Sequence, residues 1–438
     1  MTTASDTPAL NIALLGGGTV GSQVARILTE DAASLTGRIG AELNLTGIFV
    51  RNPQATRDFQ LPSEYYSDDV DEVMDGADIV VELIGGIEPA RELILKAISQ
   101  GANVVTGNKE LLATHGNELY EAAAQAGVQL SFEASVAGAI PILRPLRDSL
   151  SGDKITRIMG IVNGTTNYIL DQMDSTGASF NDALAEAQRL GYAEADPAAD
   201  VEGQDAAAKV AILAHLAFHA PFTLDQVYTE GITDVSDLDH KSAAEAGYII
   251  KLLAIAEQLE DPEGVVLRVH PTLLPREHPL ASVRGAYNAV FVEAENVDEL
   301  MFYGPGAGGS ATASAVMGDV MSIAKRRLRG GPGRTHTARR ELECLDIGES
   351  TTRYMVVVRA ADASGVLAKV AGTFADHGVS IKSMNQTPDE ASSDDEKTAL
   401  LAFITHRAKE SQLAQTLEAT KGLDVVNEVL SVMRVEGK

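Results

Sequence analysis

A glycine run and two lysines are the residues of this chain whose types and spacing could do chemistry. In "NIALLGGGTVGSQVARILTE", Gly16, Gly18 and Gly21 fall at G-x-G-x-x-G spacing, after an apolar strand pattern and at the opening of a helical one. In that setting Gly16 permits the tight turn and Gly18 lets the backbone approach a pyrophosphate. The free N–H groups at the helix start, Thr19 and Val20, bind the anion. The plainer alternative is a glycine-rich turn with no ligand. After the second strand, where an acidic residue often meets a ribose 2′-hydroxyl, "FVRNP" supplies Arg51 instead. An arginine there pairs with a 2′-phosphate, so NADP is expected, with NAD as the second choice, although the interval exceeds the usual ~20 residues.

A nicotinamide cofactor means hydride transfer, and the next question is which group manages the proton. A carboxylic acyl product would need a thiol, but the single cysteine, Cys344, stands in "RRELECLDIG", a connector. Oxidation of an alcohol to an aldehyde needs only a proton acceptor or a zinc. His215 and His219 are four residues apart, yet no third ligand and no H-E-x-x-H accompany them. They read as core or capping residues. A lysine acid/base is left, and two lysines qualify. Lys109 ends "NVVTGNK", at the C-terminal end of a strand, where open α/β sheets bind ligands. Lys209 lies in "VEGQDAAAKVAILAHLAFHAPF", which at about 100° per residue reads as one helix from Val201 to His219, apolar nearly all round. Asp205 and Lys209 share a side of it with Ile212 and Leu216. Either they are an exposed pair worth a few tenths of a kcal/mol, or they are buried charges that need partners.

The elements that must position these residues follow from pattern. The chain has 438 residues, 45% of them hydrophobic, so it holds a real core and about three domains. A formal charge of −27 disfavours nucleic acid and anionic membrane surfaces as partners. One cysteine points to a reducing compartment. No apolar run reaches the ~18 residues of a membrane span, and "MTTASDTPAL" lacks the features of a secretory leader. The expected location is the cytoplasm. The first third alternates "NIALLG", "LNLTGIFV", "DIVVELIGG", "NVVTG" and "VQLSFEAS" with helical stretches, as a parallel sheet requires. After Pro141 come Ala-rich helices mixed with strand-like pieces such as "VVLRVHPTLL" and "AYNAVFVEAE". "RGGPGRTHTARRELE" reads as a linker, with a phosphate-binding patch as the alternative. The tail reads strand, helix, strand, strand, helix, strand, with "PDEASSDDEK" as a polar hairpin tip.

The runs "GNKELLA", "FEASVAGAIP", "VNGTTNYIL" and "LGYAEADPAADVEGQDAAAK" resemble homoserine dehydrogenase, and the resemblance spans residues 10 to 330. The tail resembles the ACT regulatory module of longer members. The resemblance implies an α/β fold with a Rossmann-type NAD(P)-binding domain (1–137 and 305–332) and a mixed α/β catalytic, substrate-binding and dimerisation domain (138–304). A linker (333–349) and a ferredoxin-like βαββαβ ACT domain (350–438) complete it. It implies interconversion of L-homoserine and L-aspartate 4-semialdehyde by a homo-oligomer, a dimer or tetramer. Lys209 would be the acid/base and Lys109 a second lysine at the reacting oxygen and nicotinamide, with Thr106 beside the cofactor. Glu194 and Asp205 would hold the substrate ammonium, while Tyr192 and the backbone of Gly164 and Thr165 would face its carboxylate. Glu133, Val136, Gly138 and Ile140 would hold a monovalent cation, Na+ being expected, largely through main-chain oxygens. "GPGAGGSATASAV", with Gly306 and Gly309, would return a final helix to the nucleotide domain. In the tail, Gly365 and the N–H groups of Val366 and Leu367 would take an amino-acid carboxylate and Asp362 its amine, with L-threonine the expected effector; Ser364 replaces a frequent proline. Two alternatives stay open: a non-enzymatic dinucleotide sensor with an amino-acid-binding tail, and a related NADP-linked semialdehyde reductase.

Overall fold

Apolar runs bounded by glycine and polar turns form the strands that the patterning calls for, and the computed structural model describes them over residues 8–331, 340–389, 392 and 397–437. Residues 332–339 of the glycine-rich linker reading and most of the "PDEASSDDEK" tip lie outside the described residues. The chain divides into two compact units. The first comprises Met1–Ile158, Ala208–Gln226 and Asn288–Glu341, and the second Met159–Ala207, Val227–Tyr287 and Leu342–Lys438.

The first unit is built on β1 (Ala9–Leu15), β2 (Glu42–Phe49), β3 (Tyr66–Ser67), β4 (Ile79–Glu82), β5 (Asn103–Thr106) and β6 (Leu130–Ser131). They form a parallel sheet in the order β3-β2-β1-β4-β5-β6, so the order reverses between β1 and β4, where dinucleotides bind in such sheets. Ile12 to Leu15 are fully buried, as expected of a central strand covered on both faces. The helix Gly309–Leu328 packs Ala313, Val316 and Val320 into the same core as Ile12 and Val24, which bears out the expected return segment.

Beyond these come β7 (Ile155–Ile161), β8 (Tyr228–Thr229), β9 (Tyr248–Glu260), β10 (Glu263–Pro275), β11 (Tyr287–Ala294) and β12 (Asp298–Pro305). The second unit is organised by the long hairpin β9–β10, paired from Tyr248↔Pro275 to Glu260↔Glu263. The C-terminal segment forms β13 (Thr351–Ala361), β14 (Ile381–Pro388), β15 (Thr398–Thr405), β16 (Ala408–Lys409) and β17 (Val426–Val435), with helices Val366–Asp376 and Glu410–Lys421. Its sheet runs β17-β13-β15-β14, the expected βαββαβ arrangement. One feature was not expected. β17 also pairs in parallel with β10, at Thr272↔Arg434 and Leu273↔Val435, so the C-terminal sheet continues the hairpin sheet. The Cys344 connector runs along β10 as well, Val265 N–H donating to Glu343 O and Leu345 N–H to Val265 O.

The single helix expected from Val201 to His219 is interrupted. A short helix Ala198–Val201 precedes Gly203, and the helix Gln204–Phe218 follows. Gly203 has φ +86°, and a Cβ there would lie 3.0 Å from Thr229 Cγ2, so both conformation and space demand glycine. No helix among the described residues is long and apolar enough to cross a membrane.

The C-terminal module has its own core of Tyr354, Val356, Val370, Phe374 and Phe403, the two phenylalanine rings 5.4 Å apart. Truncating the fully buried Phe374 to alanine is expected to destabilise the chain by about 3–5 kcal/mol in urea unfolding. An unchanged midpoint would show that this core contributes nothing to stability.

Candidate active site

The cofactor side lies in the first unit. Gly16 turns the chain after β1 with φ +109°, and a Cβ there would stand 2.6 Å from Leu83 O. A Cβ on Gly21 would overlap Gly16 O. Gly18 heads the helix Thr19–Glu30 with no side-chain cap, and nothing lies within 4 Å of its missing Cβ. Approach to the first-turn N–H groups of Thr19 and Val20 is therefore open. On the far side Gly309 lets its helix come within 2.9 Å, Cβ position to Thr19 Cγ2. The cradle fits a dinucleotide pyrophosphate. Arg51 is exposed beyond β2. The guanidinium set against the loop is that of Arg57, whose Nε would stand 3.0 Å from a Cβ on Gly17 and whose head lies 4.3 Å over the Tyr66 ring. Sequence reasoning passed over Arg57, six residues beyond Arg51.

Thr106 was expected beside the cofactor. It is fully buried, its Oγ1 donating to Glu82 Oε2 at 2.5 Å and accepting from Asn108 N–H, so its hydroxyl braces the sheet end and is not free for a cofactor. Glu82 Oε1 in turn accepts from the N–H groups of Ile84 and Gly85. Asn108 donates to Gly86 O and caps the helix Lys109–Ala126, which fixes half-buried Lys109 at the first helical position. His215 stacks on Tyr120 at 4.7 Å, and burial pushes its pKa down to about 4. That is the core role expected for it.

The Glu133–Ile140 run forms a short turn with Ala137 and Gly138 both at φ 55°. A Cβ on Gly138 would overlap Gly306 O, and one on Gly306 would overlap the Asn288 amide, so Gly306 locks this turn in place. The Glu133 side chain is engaged within the protein. Its Oε1 accepts from Leu143 N–H, and its Oε2 accepts from Arg144 N–H and Nε–H. Any cation held here would rest on main-chain oxygens of Val136, Gly138 and Ile140.

A second polar cluster lies in the second unit, at the start of the helix Gly164–Thr176. Asn163 caps that helix, its Oδ1 accepting from Thr166 N–H. Its Nδ2 donates to Asp200 Oδ1 at 2.7 Å and to Asp205 Oδ2 at 2.8 Å. One amide thus gathers two carboxylates beside a helix N-terminus. That arrangement offers acceptors to a cation and N–H donors to an anion. Asp200 was missed, although it sits in the quoted "EADPAADVEG". Thr165 Oγ1 lies 2.6 Å from Tyr192 O and 2.9 Å from Asp200 Oδ2. Tyr192 and Glu194 are both exposed, and the main-chain oxygen of Glu194 accepts from Gln188 Nε2–H. Asp205 and Lys209 are both buried, one turn apart on the helix Gln204–Phe218, which excludes the solvated-stripe reading.

In the C-terminal module Asp362 lines a cavity of about 530 Å³ with Gln386, Asp389, Lys397 and Thr398. Gly365 (φ +91°) heads the helix Val366–Asp376 and Leu367 is exposed, but the cavity lining does not include Gly365, Val366 or Leu367.

A buried lysine absent from the sequence reading anchors this helix. Lys251 Nζ donates to Asn167 Oδ1 at 2.9 Å and to Val283 O at 2.6 Å. Asn167 Nδ2 donates to Gly285 O and Tyr287 O, and a Cβ on Gly164 would lie 2.8 Å from Ala286 O. Burial outweighs the attraction of Asp171 and lowers the Lys251 pKa from 10.5 to about 8. Below pH 8 folding therefore carries the full penalty of a buried ammonium. The unfolded chain keeps its proton to higher pH, so stability from this group rises between pH 8 and about 10.5. The advantage of the parent over Lys251→Met should widen across that window by on the order of 3 kcal/mol, at about 1.4 per pH unit. Parallel stability curves for the two proteins would refute this.

With this geometry in hand, the chain can be set beside known proteins. The family model of homoserine dehydrogenase matches residues 141–321, that of the homoserine dehydrogenase NAD-binding domain residues 16–133, and that of the ACT domain residues 354–425. A homoserine dehydrogenase of Corynebacterium glutamicum is 51% identical, over 98% of this chain and 96% of its own. The crystal structure of one from Thiobacillus denitrificans superposes with a TM-score of 0.89 at 38% identity, covering 98% of each chain. A hyperthermophilic archaeal homoserine dehydrogenase mutant in complex with NADPH gives 0.59 at 30% identity, over 72% of this chain and 97% of that one. A nucleotide cradle, two carboxylates gathered on one amide, and near full-length likeness agree: the chain belongs to the homoserine dehydrogenase family.

Proposed function

We propose that this protein interconverts L-homoserine and L-aspartate 4-semialdehyde with NADP, NAD being the weaker alternative. The observation that carries the reading is the pair Asp200 and Asp205 on one Asn163 amide, one helical turn before Lys209. A free amino acid needs acidic groups at its ammonium and N–H donors at its carboxylate. The two aspartates take the first role, and the first-turn N–H groups of Gly164 and Thr165 take the second. Glu194 and Tyr192, on the adjoining exposed segment, complete the ammonium and carboxylate ends. Lys209 receives the hydroxyl proton during oxidation and returns it during reduction, while Lys109 stabilises the reacting oxygen. NADP, when bound, supplies the site that accepts or gives the hydride. Arg51, with Arg57 beside the glycine loop, meets its 2′-phosphate.

The nucleotide domain is assigned to 1–137 and 305–332, the catalytic domain to 138–304 and the regulatory domain to 350–438. A monovalent cation, Na+ by choice, stiffens the Val136–Ile140 turn through main-chain oxygens. The enzyme works as a dimer or tetramer in the cytoplasm, and L-threonine acts on the C-terminal module.

Lys209→Ala should lower kcat by roughly 10²- to 10⁴-fold with NADPH binding intact, the usual range for losing a general base. Asp205→Asn should chiefly raise the homoserine KM. A folded Lys209→Ala protein with near-parental turnover would make the lysine structural. On the cofactor, Arg51→Ala should weaken NADP relative to NAD by about 1.5–3 kcal/mol in a binding titration, as expected of a charge-assisted hydrogen bond. Equal losses for both would remove Arg51 from the 2′-phosphate. L-Threonine should inhibit the full chain, and a chain truncated after about residue 348 should keep kcat and lose inhibition, while its homoserine KM rises because β17 leaves β10 with the module. A rate and a melting temperature indifferent to millimolar threonine would leave the module a purely structural role.

A further inference from the structure

We propose that Arg434 is a positioning residue for the substrate pocket. From the last strand of the C-terminal module it fixes the Tyr228–Gly231 segment, which in turn fixes the Val201–Gly203 turn between Asp200 and Asp205. The proposal rests on the reading of those two carboxylates as the ammonium site.

Arg434 lies opposite Thr272 in the short β17–β10 pairing. Its buried guanidinium bonds in two directions. Nε and Nη2 donate to Glu410 at 3.0 and 2.6 Å, within the C-terminal module. Nη1 donates to Glu230 Oε2 at 2.8 Å, and the head lies 5.3 Å from the Tyr228 ring. The segment it grips is tied to β10 by Arg268↔Tyr228 and Val269↔Thr229 pairing and by Glu230 N–H donating to Val269 O.

That segment presses directly on the turn before the catalytic helix. Ile232 N–H donates to Val201 O at 2.8 Å, and a Cβ on Gly231 would overlap Val201 O and fall 2.6 Å from Glu202 Cα. Gly203 faces Thr229 Cγ2 and Val269 Cγ1 with no room for a methyl group. There is no slack between the two segments, so a shift of Glu230 moves the turn that sets the spacing of Asp200 and Asp205. Without Arg434, Glu410 and Glu230 would lose their shared cation, and the Tyr228–Gly231 segment its tie to β17. A role as mere anchor predicts lost stability alone. A positioning role predicts lost substrate affinity.

The test uses the full chain, measuring homoserine KM and kcat, NADPH Kd and melting temperature for Arg434→Met, Glu230→Gln, the double variant and Arg434→Lys. Glu230 is 44% exposed, so Glu230→Gln is expected to fold even if Arg434→Met does not. Each single change should raise KM by roughly 3- to 30-fold, the range seen for residues coupled to a site they do not touch, with NADPH Kd unchanged. The double variant should be no worse than the worse single one, and Arg434→Lys should recover only part of the loss, because an ammonium cannot fork between two carboxylates. A fall in melting temperature with KM within twofold of the parent overturns the proposal. Asp205→Asn, measured alongside, separates the two readings. If it raises KM while Arg434→Met and Glu230→Gln do not, only the positioning role falls. If it leaves KM unchanged, the ammonium reading falls and takes the proposal with it.

Discussion

The side-chain amide of Asn163 is the interaction on which the rest of this site depends. Two carboxylates brought together, one buried and one half-buried, repel each other, and each loses hydration. Asn163 offers two amide protons, one to Asp200 and one to Asp205, while its oxygen caps the next helix at Thr166 N–H. A neutral donor lowers the repulsion without neutralising the pair, which an arginine in the same place would do. The two carboxylates keep their charge, and the same residue caps the helix whose N-terminus lies beside them.

That helix must then be held against the loop Val283–Tyr287, and the holding group is Lys251. With two acceptors, Asn167 Oδ1 and Val283 O, it has partners for the two protons of a neutral amine. A pKa near 8 fits that local supply. Arg284 reinforces the outer end of the loop by pairing with Asp171 at 2.7 Å and Asp174 at 3.1 Å. The start of the helix Gly164–Thr176 is therefore held by hydrogen bonds from Lys251 and from the loop it packs against.

The sequence made the local features legible and left the distant ones hidden. The glycine cradle, the parallel sheet and the βαββαβ tail all follow from patterns within ten to thirty residues, and all are present as read. Lys109, Asp205 and Lys209 could be picked out because strand end and helix face are local properties. Lys251 and Asn167 are 84 residues apart, and Arg434 and Glu230 are 204 apart, so no periodicity joins them. The direction of the Thr106 hydroxyl was hidden because a threonine at a strand end points into the loop or into the sheet with equal ease, and only buried Glu82 decides. The helix break at Gly203 was overridden by tertiary packing: an apolar period of 3.6 runs through the glycine, but Thr229 and Val269 crowd it into the left-handed region.

The continuity of β10 with β17 bears on why this chain uses charges where apolar residues would serve. Only two residue pairs join the strands, so backbone bonding alone specifies register weakly. Arg268, fully buried on β10, pairs with Glu257 at 2.7 Å and with Glu436 at 2.8 Å, just past the end of β17. Its Nε and Nη1 make no hydrogen bond among the described residues, a desolvation penalty that well-packed hydrophobic side chains would avoid. What the ions add is register. A one-residue slip of β17 would carry Glu436 away from Arg268 and Arg434 away from Glu230 together, leaving buried charges unpaired on both strands. The two arginines therefore allow the C-terminal module a single seat on the hairpin, and in that seat Arg434 pairs with Glu230 of the segment that packs on the Val201–Gly203 turn.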